Sequence, residues 1–549
     1  MAQAREFKLK GISKLDLKNF EKREADVEGV EDGKVLIVKY ADKVHATSPN
    51  CTHYGAPLMK GVVTGEGRLT CPWHGACFSV ATGDVEDAPA LDPLAKFEVY
   101  ERDGAVYIRG DEEEIINGRR ETNFSCLAEG SEKVVIIGGG SGTIGALHGL
   151  RGGGYKGHIT VISQEDYPPI DRTKLSKALL ADVSKAAWHS ADFYSDADID
   201  RITDRVTKVD FGGKTVTGES GKQYQYTKLI LASGGTPKQL PLPGFKDLKN
   251  VFLLRTLTDT KAIVSAVGDN GKKIVVIGSS FIGMEVSNCL ANLKNDVTCV
   301  GKEQAPLEAV MGPKVGNIFK SLVEKNGVKF KLGADVEKAV PSAKDPSKVG
   351  SVQLKDGTVL EADLVIVGVG VSPATEFLRD AKEIQLEKDG SVRTDEEFAV
   401  EGPQDVFAIG DIATYPYHGP GGNGKYTRIE HWNVAQNAGR SVAKTIMNPC
   451  VKPKQFIPIF WSALGAQLRY CGNTTNGWDD LVLKGEPNEG KFAAYYCLGE
   501  TVVAVASMQM DPVMTKCAEL MRRLKMPTKS ELQKGVDVLD INVPAEIKI

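Results

Sequence analysis

Lys133-Val-Val-Ile-Ile-Gly-Gly-Gly-Ser-Gly-Thr-Ile-Gly145 begins with an apolar, β-branched run and passes directly into glycines. A buried parallel strand that turns tightly into a helix has this pattern. The free N–H groups and the positive dipole at the start of such a helix favour a pyrophosphate. The glycines can be framed as Gly138 and Gly140 with Thr143 third, or as Gly140, Gly142 and Gly145. The stretch predicts a dinucleotide site, and its alternative is a glycine-rich connection in an α/β core.

The residues that follow support a nucleotide site. A second apolar run, His158–Ser163, ends close to Glu165, where an acidic side chain can bind a ribose hydroxyl. Further along, Lys272-Lys-Ile-Val-Val-Ile-Gly278-Ser-Ser280-Phe-Ile-Gly283-Met-Glu285 repeats the strand, the glycine turn and the helix. The sequence therefore predicts a second dinucleotide fold. Two such folds in one chain indicate one redox nucleotide that stays bound and a second that binds and leaves, with hydride moving from NAD(P)H to a flavin.

The sequence leaves the nicotinamide preference of the second fold open. Its next strand, Val297–Val300, is followed by Gly301, Lys302 and Glu303. An acid at the strand tip favours NADH, because it accepts hydrogen bonds from the 2′-hydroxyl. Here Glu303 lies beyond the tip, and Lys302 could meet a 2′-phosphate.

Length and composition exclude several classes of protein. The 549 residues suggest three or four domains. With 68 Lys and Arg against 72 Asp and Glu, the formal net charge is -4, so we expect no nucleic-acid partner. No apolar run reaches the roughly 18 to 20 residues of a membrane span, and Met1–Lys14 lacks the apolar centre of a targeting segment. Ten scattered cysteines fit a reducing compartment, so we expect a cytoplasmic protein.

The first 110 residues have the pattern of a small all-β domain. Short β-type runs at 35–40, 44–47, 97–100 and 105–109 are separated by turn signals. Within this domain, Cys51-Thr-His53 and Cys71-Pro-Trp-His74 are separated by seventeen residues. Two Cys and two His in paired loops match the ligand set of a Rieske [2Fe-2S] centre, in which two thiolates bind one iron and two imidazoles the other. A structural zinc site with the same ligands is the alternative.

The two loops also resemble the Rieske family in detail, from Ala56-Pro-Leu after the first pair to Gly75 after the second. Some respiratory members carry an extra disulfide across the loops, where this chain has Ala56 and Trp73. The resemblance is therefore to the ferredoxin-type branch. Cys77 is interpreted as a buried apolar residue rather than a fifth ligand.

Most of the chain resembles the two-dinucleotide-binding flavoprotein superfamily, in the branch of ferredoxin reductases and apoptosis-inducing-factor-like oxidoreductases. The matching stretches are 138–145, 167–177, 231–237, 278–285, 367–373, 407–411 and 430–436. With the Rieske module, the best match is the Rieske-bearing apoptosis-inducing-factor-like group. Residues 111–132 are polar and lack a clear period, so we expect a linker there. The resemblance implies the other segments: an all-β Rieske domain (1–110), a discontinuous α/β FAD domain (133–254 and 374–450), an α/β NAD(P)H domain (255–373) and an α+β C-terminal domain (451–549). It also allows a homodimer and a mitochondrial location.

The same resemblance assigns residues to each cofactor. FAD is expected to contact Gly138, Gly140, Ser141, Gly142, Thr143, Glu165, Arg172, Lys177, Gly234, Asp411 and Trp432. Among these, Gly138, Gly140 and Glu165 would bind the pyrophosphate and ribose, Arg172 the phosphate side, Asp411 the ribityl chain and Trp432 the flavin edge. The nicotinamide nucleotide is expected to contact Gly278, Ser280, Phe281, Ile282, Gly283, Glu285, Glu303 and Gly370. Thr143 departs from the family, which usually has glycine there, and this leaves the local helix packing open.

Lys177 and Glu285 are the predicted catalytic pair. By resemblance, Lys177 faces the flavin N5 and Glu285 pairs with it. A positive charge beside N5 would stabilise the anion formed when hydride arrives, and a neighbouring carboxylate would keep the lysine protonated. The alternative is an ordinary surface ion pair.

The segment from Glu165 to Lys177 contains no cysteine, unlike the disulfide reductases of the superfamily. Without a dithiol near the flavin, the Rieske cluster is the expected acceptor of its electrons. We therefore expect an NAD(P)H-dependent FAD oxidoreductase that passes electrons to its own [2Fe-2S] cluster and on to an unidentified acceptor. One alternative is a flavin reductase of a quinone or monodehydroascorbate with the cluster as a sensor. Another is an NADH-responsive redox-sensing interaction protein.

The C-terminal region is expected to contain strands at 456–462, 491–497 and 501–507, with a reverse turn at Gly499-Glu500. A helix is expected over Ala518–Leu524. Trp461 either reaches the flavin or is a plain core aromatic.

Overall fold

The computed structural model describes residues 5–120, 122, 124–452 and 455–543. The expected linker positions Glu121 and Asn123, and the expected domain positions 1–4, 453–454 and 544–549, lie outside the described residues. The expected multidomain fold is confirmed: an all-β domain precedes two α/β dinucleotide folds and an α+β domain. Within these described ranges, no helix has the length and the apolar composition needed to cross a bilayer.

The N-terminal domain consists of two antiparallel sheets and a short helix. Its elements are β1 (Arg5–Lys8), β2 (Lys22–Asp26), β3 (Lys34–Tyr40), β4 (Lys43–Thr47), β5 (Val62–Val63), β6 (Arg68–Thr70), β7 (Cys77–Ser79), β8 (Val85–Asp87), β9 (Lys96–Arg102), β10 (Ala105–Gly110) and α1 (Glu112–Asn117). The sheet orders are β1-β10-β9-β4-β3-β2 and β5-β6-β7-β8. The strands expected at 35–40, 44–47, 97–100 and 105–109 are present. The smaller sheet positions the site, because β6 and β7 hold the loop that carries Cys71 and His74.

The expected linker begins with structure that the sequence pattern missed. Asp111 caps the start of helix α1, because its side chain accepts a hydrogen bond from Glu113 N, and Gly118 caps its end in the left-handed conformation. Its Ile115 is 3% exposed and belongs to the core of the N-terminal domain. A helix of little more than one turn gives no apolar repeat, so only its caps could have predicted it.

The first dinucleotide fold has a five-stranded parallel sheet. The elements from this part of the chain are β11 (Lys133–Ile137), α2 (Ser141–Gly152), β12 (His158–Ser163), α3 (Thr173–Ala178), α4 (Val183–Ala186), α5 (Ala191–Asp196), β13 (Ile199–Thr203), β14 (Val206–Asp210), β15 (Thr215–Gly218), β16 (Gln223–Gln225), β17 (Lys228–Leu231) and β18 (Gly235–Pro237). In β11, Val134 and Ile136 belong to one apolar cluster, and Val135 and Ile137 to another. The strand is an unbroken apolar run because both faces of the sheet are covered.

The second dinucleotide fold repeats this arrangement. Its elements are β19 (Val251–Leu253), α6 (Leu257–Val267), β20 (Lys273–Ile277), α7 (Phe281–Asn292), β21 (Asp296–Val300), α8 (Glu308–Lys325), β22 (Lys329–Lys331), β23 (Val336–Pro341), β24 (Val349–Leu354), β25 (Val359–Glu361) and β26 (Leu364–Val367). The parallel sheet has the order β19-β26-β20-β21-β22. Alternate residues of β20 again enter two different clusters. The predicted second strand, turn and helix are therefore present.

The chain then returns to the first fold. The elements of this return are β27 (Val371–Pro373), β28 (Val392–Arg393), β29 (Val406–Ala408), β30 (Ala413–Tyr417), β31 (Lys425–Thr427) and α9 (Trp432–Met447). Strand β29 completes the first parallel sheet, in the order β13-β12-β11-β17-β29. Strands β18 and β27 pair antiparallel at the crossing between the two folds.

The C-terminal domain is an antiparallel sheet covered by a helix. Its elements are β32 (Ile459–Ala463), β33 (Gln467–Gly472), β34 (Asp480–Glu486), β35 (Lys491–Leu498), β36 (Thr501–Met508), α10 (Val513–Arg522) and α11 (Lys529–Gln533), with sheet order β32-β33-β36-β35-β34. The expected turn between β35 and β36 is confirmed. The expected helix over Ala518–Leu524 begins five residues earlier, at Val513, and ends at Arg522. The buried residues Val513, Cys517 and Leu520 form its apolar face at helical spacing.

Candidate active site

A cavity of about 750 Å³ lies where the two dinucleotide folds, the start of α9 and the C-terminal sheet meet. Ligand sites typically have volumes of about 300–1,000 Å³. The predicted site residues that line it are Gly140, Ser141, Gly142, Arg172, Lys177, Gly234, Ser280, Phe281, Ile282, Glu285, Gly370, Asp411 and Trp432. The predicted residues Gly138, Thr143, Glu165, Gly278, Gly283 and Glu303 lie outside this lining, in the turns, helix starts and strand ends of the same two folds.

The two glycine turns have the same backbone geometry. Gly138 has a φ of +114°, and a Cβ there would collide with the carbonyl oxygen of Ala232. Gly278 has a φ of +110°, and its Cβ would collide with the carbonyl oxygen of Gly368. Each strand therefore needs glycine where it passes closest to its neighbour. Helices α2 and α7 begin three residues later, so their first N–H groups face the cavity as a phosphate site requires.

Thr143 occupies the third position of the first turn. Its side chain is fully buried, and its hydroxyl donates a 2.7 Å hydrogen bond to the carbonyl oxygen of Gly138. The structure thus has the framing Gly138, Gly140 and Thr143, and the hydroxyl ties the helix to the turn. The corresponding residue of the second turn is Gly283, where a Cβ would collide with the carbonyl oxygen of Gly278.

Arginines connect the two predicted acids of the first fold. The carboxylate of Glu165 forms an ion pair with Arg172, which also donates a 2.8 Å hydrogen bond to the carbonyl oxygen of Arg255. The guanidinium of Arg255 lies 2.8 Å from the Asp411 carboxylate. Arg172, Arg255 and Asp411 all line the cavity. Glu165 therefore orients a cavity arginine, while Asp411 lies in the cavity wall.

The side chains of Lys302 and Glu303, which follow β21, have different partners. The Glu303 carboxylate accepts a 3.1 Å hydrogen bond from the hydroxyl of Ser279, in the second glycine turn. The Lys302 ammonium lies 3.8 Å from Asp335, and its side chain is 78% exposed. The acid is thus held beside the turn that would bind the nucleotide, and the lysine is directed towards another carboxylate.

Lys177 and Glu285, from different folds, form an ion pair of 2.9 Å at the cavity. The Glu285 side chain is 3% exposed. Its carboxylate also accepts a hydrogen bond from the hydroxyl of Ser176, and one of 2.5 Å from Ser462 of β32. The two separated motifs therefore converge, and three residues from two other segments of the chain fix one buried carboxylate. A buried carboxylate needs such partners to stay ionised.

The aromatic part of the cavity carries polar atoms that lack a partner. His431 and Trp432 lie at the start of α9, and burial lowers the pKa of His431 to about 4, so its imidazole is neutral at pH 7. In the described part of the chain, His431 Nδ1 and Trp432 Nε1 have no hydrogen-bond partner. Phe281 and Phe460 pack edge to face beside them, with ring centroids 4.7 Å apart. A flat, partly polar ligand such as a flavin or a nicotinamide fits these residues, because it would supply the missing partners.

The two loops with the predicted cluster ligands share one hydrogen-bond pattern. Cys51 N donates to Ala56 O at 2.8 Å, and Cys71 N donates to Ala76 O at 2.8 Å. In each loop a glycine with positive φ, Gly55 or Gly75, donates back to the cysteine carbonyl. The sequence similarity of the two loops therefore reflects a repeated structure.

The four predicted ligands are all buried, and the two imidazoles among them come together. The exposed fractions of Cys51, His53, Cys71 and His74 are 3%, 9%, 1% and 4%. The Nδ1 atoms of His53 and His74 are 3.1 Å apart, so both can reach one ion, since metal–nitrogen bonds are about 2.0–2.1 Å. Burial lowers the pKa of His53 to about 3, which keeps the imidazole neutral, as a ligand must be. The residues fit a Rieske cluster, with the thiols on one iron and the imidazoles on the other.

The histidine side of these loops faces the flavin folds. The ring centroid of Trp461, a cavity residue, lies 4.4 Å from that of His74 and 5.6 Å from that of His53. On the same side, Tyr54 stacks on His53 at 3.8 Å and donates a hydrogen bond to the buried carboxylate of Asp171. Asp171 directly precedes Arg172, so the ligand loop contacts the segment that lines the cavity.

Several residues of the site carried no sequence signal. Arg255 and Asn473 line the cavity but belong to no motif. Ser462 is recognisable only by its partner Glu285, and Asp171, although it lies in the matching stretch 167–177, was given no role before its contact with Tyr54. Trp461 was singled out, and the structure places it both in the cavity wall and against the histidines. Only the fold brings these residues into the site, because their contacts span long stretches of sequence.

Comparison with known proteins identifies both parts of the chain. Residues 132–439 match the family model "Pyridine nucleotide-disulphide oxidoreductase", and residues 11–98 match the "Rieske [2Fe-2S] domain". Apoptosis-inducing factor 3 of Homo sapiens is 35% identical over 526 residues, which cover 94% of this chain and 84% of that protein. A chloroplastic/mitochondrial monodehydroascorbate reductase of Arabidopsis thaliana is 29% identical over 385 residues, 66% of this chain and 74% of that protein.

A solved structure agrees with these matches. The covalent putidaredoxin reductase–putidaredoxin complex contains a chain with a TM-score of 0.68 and 27% sequence identity, and the alignment covers 74% of this chain and 96% of that chain. The cofactors implied by the matched domains are FAD, NAD(P)H and a [2Fe-2S] cluster, as expected from the sequence. The chain therefore belongs to the pyridine nucleotide-disulphide oxidoreductase family, as an NAD(P)H-dependent flavoprotein oxidoreductase with an N-terminal Rieske domain.

Proposed function

We propose that this enzyme transfers electrons from NAD(P)H, at the cavity, to its own Rieske cluster, and from there to an acceptor. When bound, FAD accepts a hydride from the nicotinamide and releases its electrons singly, and the cluster accepts one electron at a time. The observation that carries the proposal is the contact of His53 and His74 with the cavity residue Trp461. It supports a direct exchange, because the cluster's imidazole ligands lie against the flavin site.

Lys177 would place a positive charge in the cavity, where it can stabilise the negative charge that develops on the flavin. Its Nζ forms an ion pair with the Glu285 carboxylate at 2.9 Å. Ser176 and Ser462 hold that carboxylate in place, so the ammonium has a fixed position in the cavity. A fixed charge stabilises developing negative charge without reorganisation of the site.

Both nucleotides would be held by the glycine turns. The first helix turn, from Gly140 to Gly142, and Arg172 would bind the FAD pyrophosphate, while Asp411 binds the ribityl chain and Trp432 the flavin edge. Gly138 and Thr143 shape this turn, and Gly234 lies in the cavity wall nearby. Glu165 would reach the FAD ribose while it orients Arg172.

The second dinucleotide fold would bind the nicotinamide nucleotide. The residues that would contact it are Ser280, Phe281, Ile282 and Gly370. Gly278 and Gly283 shape the glycine turn, and Glu303 would bind the ribose.

The proposal is tested by anaerobic mixing of the fully loaded protein with NADH, followed by absorbance and by EPR spectroscopy of frozen samples. We expect loss of the flavin absorbance, then the EPR signal of a reduced Rieske cluster. The Cys51→Ser variant should retain the first phase and lack the second. A wild-type protein whose flavin is reduced while its cluster stays oxidised would exclude the relay.

A second candidate function is reduction of a small acceptor directly at the cavity. Its support is the open aromatic wall of Phe281, Phe460 and Tyr470, together with the similarity to monodehydroascorbate reductases. This function predicts that Cys51→Ser keeps most of the steady-state rate with a quinone or with monodehydroascorbate. The relay predicts that reduction of a protein acceptor is lost in the same variant.

A further inference from the structure

Arg469 of β33 is a buried arginine that lies beside the second cluster loop. Its side chain is 6% exposed, although arginine is rarely buried without a specific partner. The guanidinium carbon lies 5.7 Å from the ring centroid of Trp73, the residue before the predicted ligand His74. Because a guanidinium stays protonated, the C-terminal domain places a permanent positive charge next to the ligand loop of the Rieske domain.

The register of the C-terminal sheet explains this position. Arg469 is paired with Trp461 of β32, whose ring contacts His74. Its neighbours Leu468 and Tyr470 enter the apolar cluster that the sheet shares with the second dinucleotide fold. Successive residues of a strand point to opposite faces, so Arg469 is directed to the face that meets the Rieske domain.

The guanidinium has an incomplete set of partners. Its Nε and Nη2 atoms donate hydrogen bonds of 3.3 and 3.4 Å to the two carboxylate oxygens of Asp511. Among the residues that the structure describes, none accepts a hydrogen bond from Nη1, which is buried. A buried donor without a partner is costly, so this position favours a further anion beside it.

The group expected in the loops becomes such an anion when it is reduced. In a Rieske centre two thiolates and two sulfides balance the charge of two ferric irons, and the imidazole ligands are neutral. One added electron converts one ferric iron to ferrous iron and leaves one net negative charge. No bond forms or breaks in this step.

Arg469 is also placed to act on the cluster rather than on the flavin. Burial is the largest cause of the low pKa of His74, and repulsion from Arg469 and Lys177 contributes. Lys177 belongs to the flavin cavity, whereas Arg469 is not among the described residues that line it. The two cations therefore approach the histidine from different sites, one in the cavity and one in the interface with the Rieske domain.

We propose that Arg469 raises the reduction potential of the Rieske cluster, because its fixed positive charge stabilises the cluster that has gained an electron. The inference goes beyond the proposed function: it requires the cluster but holds whichever group donates the electron. Within the relay, the higher potential would favour electron transfer from the flavin to the cluster.

Asp511 makes this proposal separable from a purely structural role of the ion pair. If Arg469 only anchors Trp73, loss of either charge breaks the same contact and should change the cluster potential in the same direction. If the charge itself acts on the cluster, removal of the cation should lower the reduction potential and removal of the carboxylate should raise it. The two variants thus differ in sign only under the proposal.

The test compares Arg469→Gln, Arg469→Lys and Asp511→Asn with the control Arg522→Gln. Arg522 is a buried arginine of the same interface, but its partners are Glu66 and Glu519. Each loaded protein is titrated anaerobically with dithionite in the presence of redox mediators, while EPR spectroscopy follows the cluster and absorbance follows the flavin. Iron content and the shape of the EPR spectrum show whether the cluster is intact.

For Arg469→Gln we expect the equilibrium constant for cluster reduction to fall about tenfold, which is about 59 mV for a one-electron couple, at an unchanged flavin potential. Arg469→Lys should keep most of the wild-type potential, and Asp511→Asn should raise it. If Arg469→Gln holds no cluster, the sign of the shift in Asp511→Asn decides alone. An unchanged potential in Arg469→Gln, a lower one in Asp511→Asn or an equal decrease in Arg522→Gln would overturn the inference.

Failure of the proposed function would give a different result. The wild-type cluster would then titrate with dithionite but stay oxidised after mixing with NADH. The dependence of its potential on Arg469 would still be measured by the same titrations.

Discussion

Glu285 shows how much of this site depends on single side chains. Its carboxylate is buried and has three partners, Lys177, Ser176 and Ser462. The ammonium of Lys177 faces the cavity from one side of this group. These partners hold the carboxylate in place within the protein itself. The sequence suggested the pair, and the structure adds the two serines.

Replacement of Lys177 by methionine should slow flavin reduction by NADH about 100-fold, the cost of removing one preorganised charge from a developing anion. FAD should remain bound, because Arg172 and the glycine turn are untouched. Stopped-flow measurement of flavin bleaching gives the rate. Lys174→Met is the matched control, since Lys174 lies on the same helix but is not among the described cavity residues. Equal losses in the two variants would contradict the assignment.

A histidine pair in the first dinucleotide fold makes its stability depend on pH. The Nε2 atoms of His148 and His189 are 2.7 Å apart. Burial lowers the pKa of His189 to about 4 and the pKa of His148 well below its ordinary value of 6.5. Because these folded-state values lie below the unfolded value, the unfolded chain binds more protons below pH 6.5. The fold should therefore lose stability as the pH falls from 6.5 towards 4, by at most about 1.4 kcal/mol per pH unit for each histidine.

His189→Gln should reduce this slope by the share of one histidine, since glutamine can still hydrogen-bond to His148 but does not titrate. The measurement is the urea midpoint of flavin release, followed by fluorescence between pH 7.5 and 5. Other buried histidines contribute equally to both proteins. Identical slopes for the variant and the wild type would show that the pair is not responsible.

At the level of secondary structure, the packing of α2 against α9 positions both the cavity and the Rieske domain. A Cβ at Gly145 of α2 would collide with the carbonyl oxygen of Gln436 in α9. The close approach brings Trp432, at the start of α9, to the cavity. The same helix binds the Rieske domain, where Asn433 and Asn437 hydrogen-bond the backbone of Ala88, each at 2.9 Å. One helix thus contacts both the cavity and the Rieske domain.

Gly145→Ala should therefore destabilise the FAD domain by about 1–3 kcal/mol, because the added methyl group overpacks a backbone contact. Flavin should be released at lower urea concentration. Gly212→Ala is the control: it lies in a turn where the nearest atom to an added Cβ is 3.7 Å away. If both variants release flavin at the wild-type concentration, the crossing tolerates a wider spacing than we infer.

In the molecule as a whole, the Rieske domain is held by two other domains at once. Besides the contacts of α9, the hydroxyl of Thr515 in α10 donates a 3.0 Å hydrogen bond to the carbonyl oxygen of Cys71. Glu519 of α10 lies 3.4 Å from Arg68 and accepts a 2.8 Å hydrogen bond from Thr70. Burial alone would raise the pKa of Glu519, but Arg68 and Arg522 outweigh it and hold the pKa below its usual range. A charged carboxylate is thus buried between the domains.

Glu519→Gln should weaken this interface by about 1.5–3 kcal/mol, the usual value of a hydrogen bond to a charged group. We expect faster cleavage by a protease between residues 118 and 132 and slower cluster reduction by NADH. Glu86→Gln is the matched control, because Glu86 binds the same Arg68 from a site that is 35% exposed, where ion pairs contribute little. Cleavage of Glu519→Gln at the wild-type rate would show that this carboxylate does not hold the domains together.

Local patterns in the sequence were sufficient for the strand, turn and helix units and for the two similar loops that carry the four predicted cluster ligands. The run from Lys133 to Gly145 and its repeat near Gly278 predict the turns because strand, glycine and helix start lie within a dozen residues. Cys51, His53, Cys71 and His74 were recognisable because their spacing reflects two similar loops. By contrast, helix α1 was missed, since a single turn contains no repeat.

The partners across domains were decided by packing. Trp461 meets His74, Ser462 meets Glu285, and Glu519 meets Arg68 only after the chain has folded, because each pair is separated by more than a hundred residues. No periodicity or spacing links such residues. The sequence by itself determined which cofactors the domains bind. The placement of the Rieske domain against the cavity followed from the packing of α9, α10 and β32 on it.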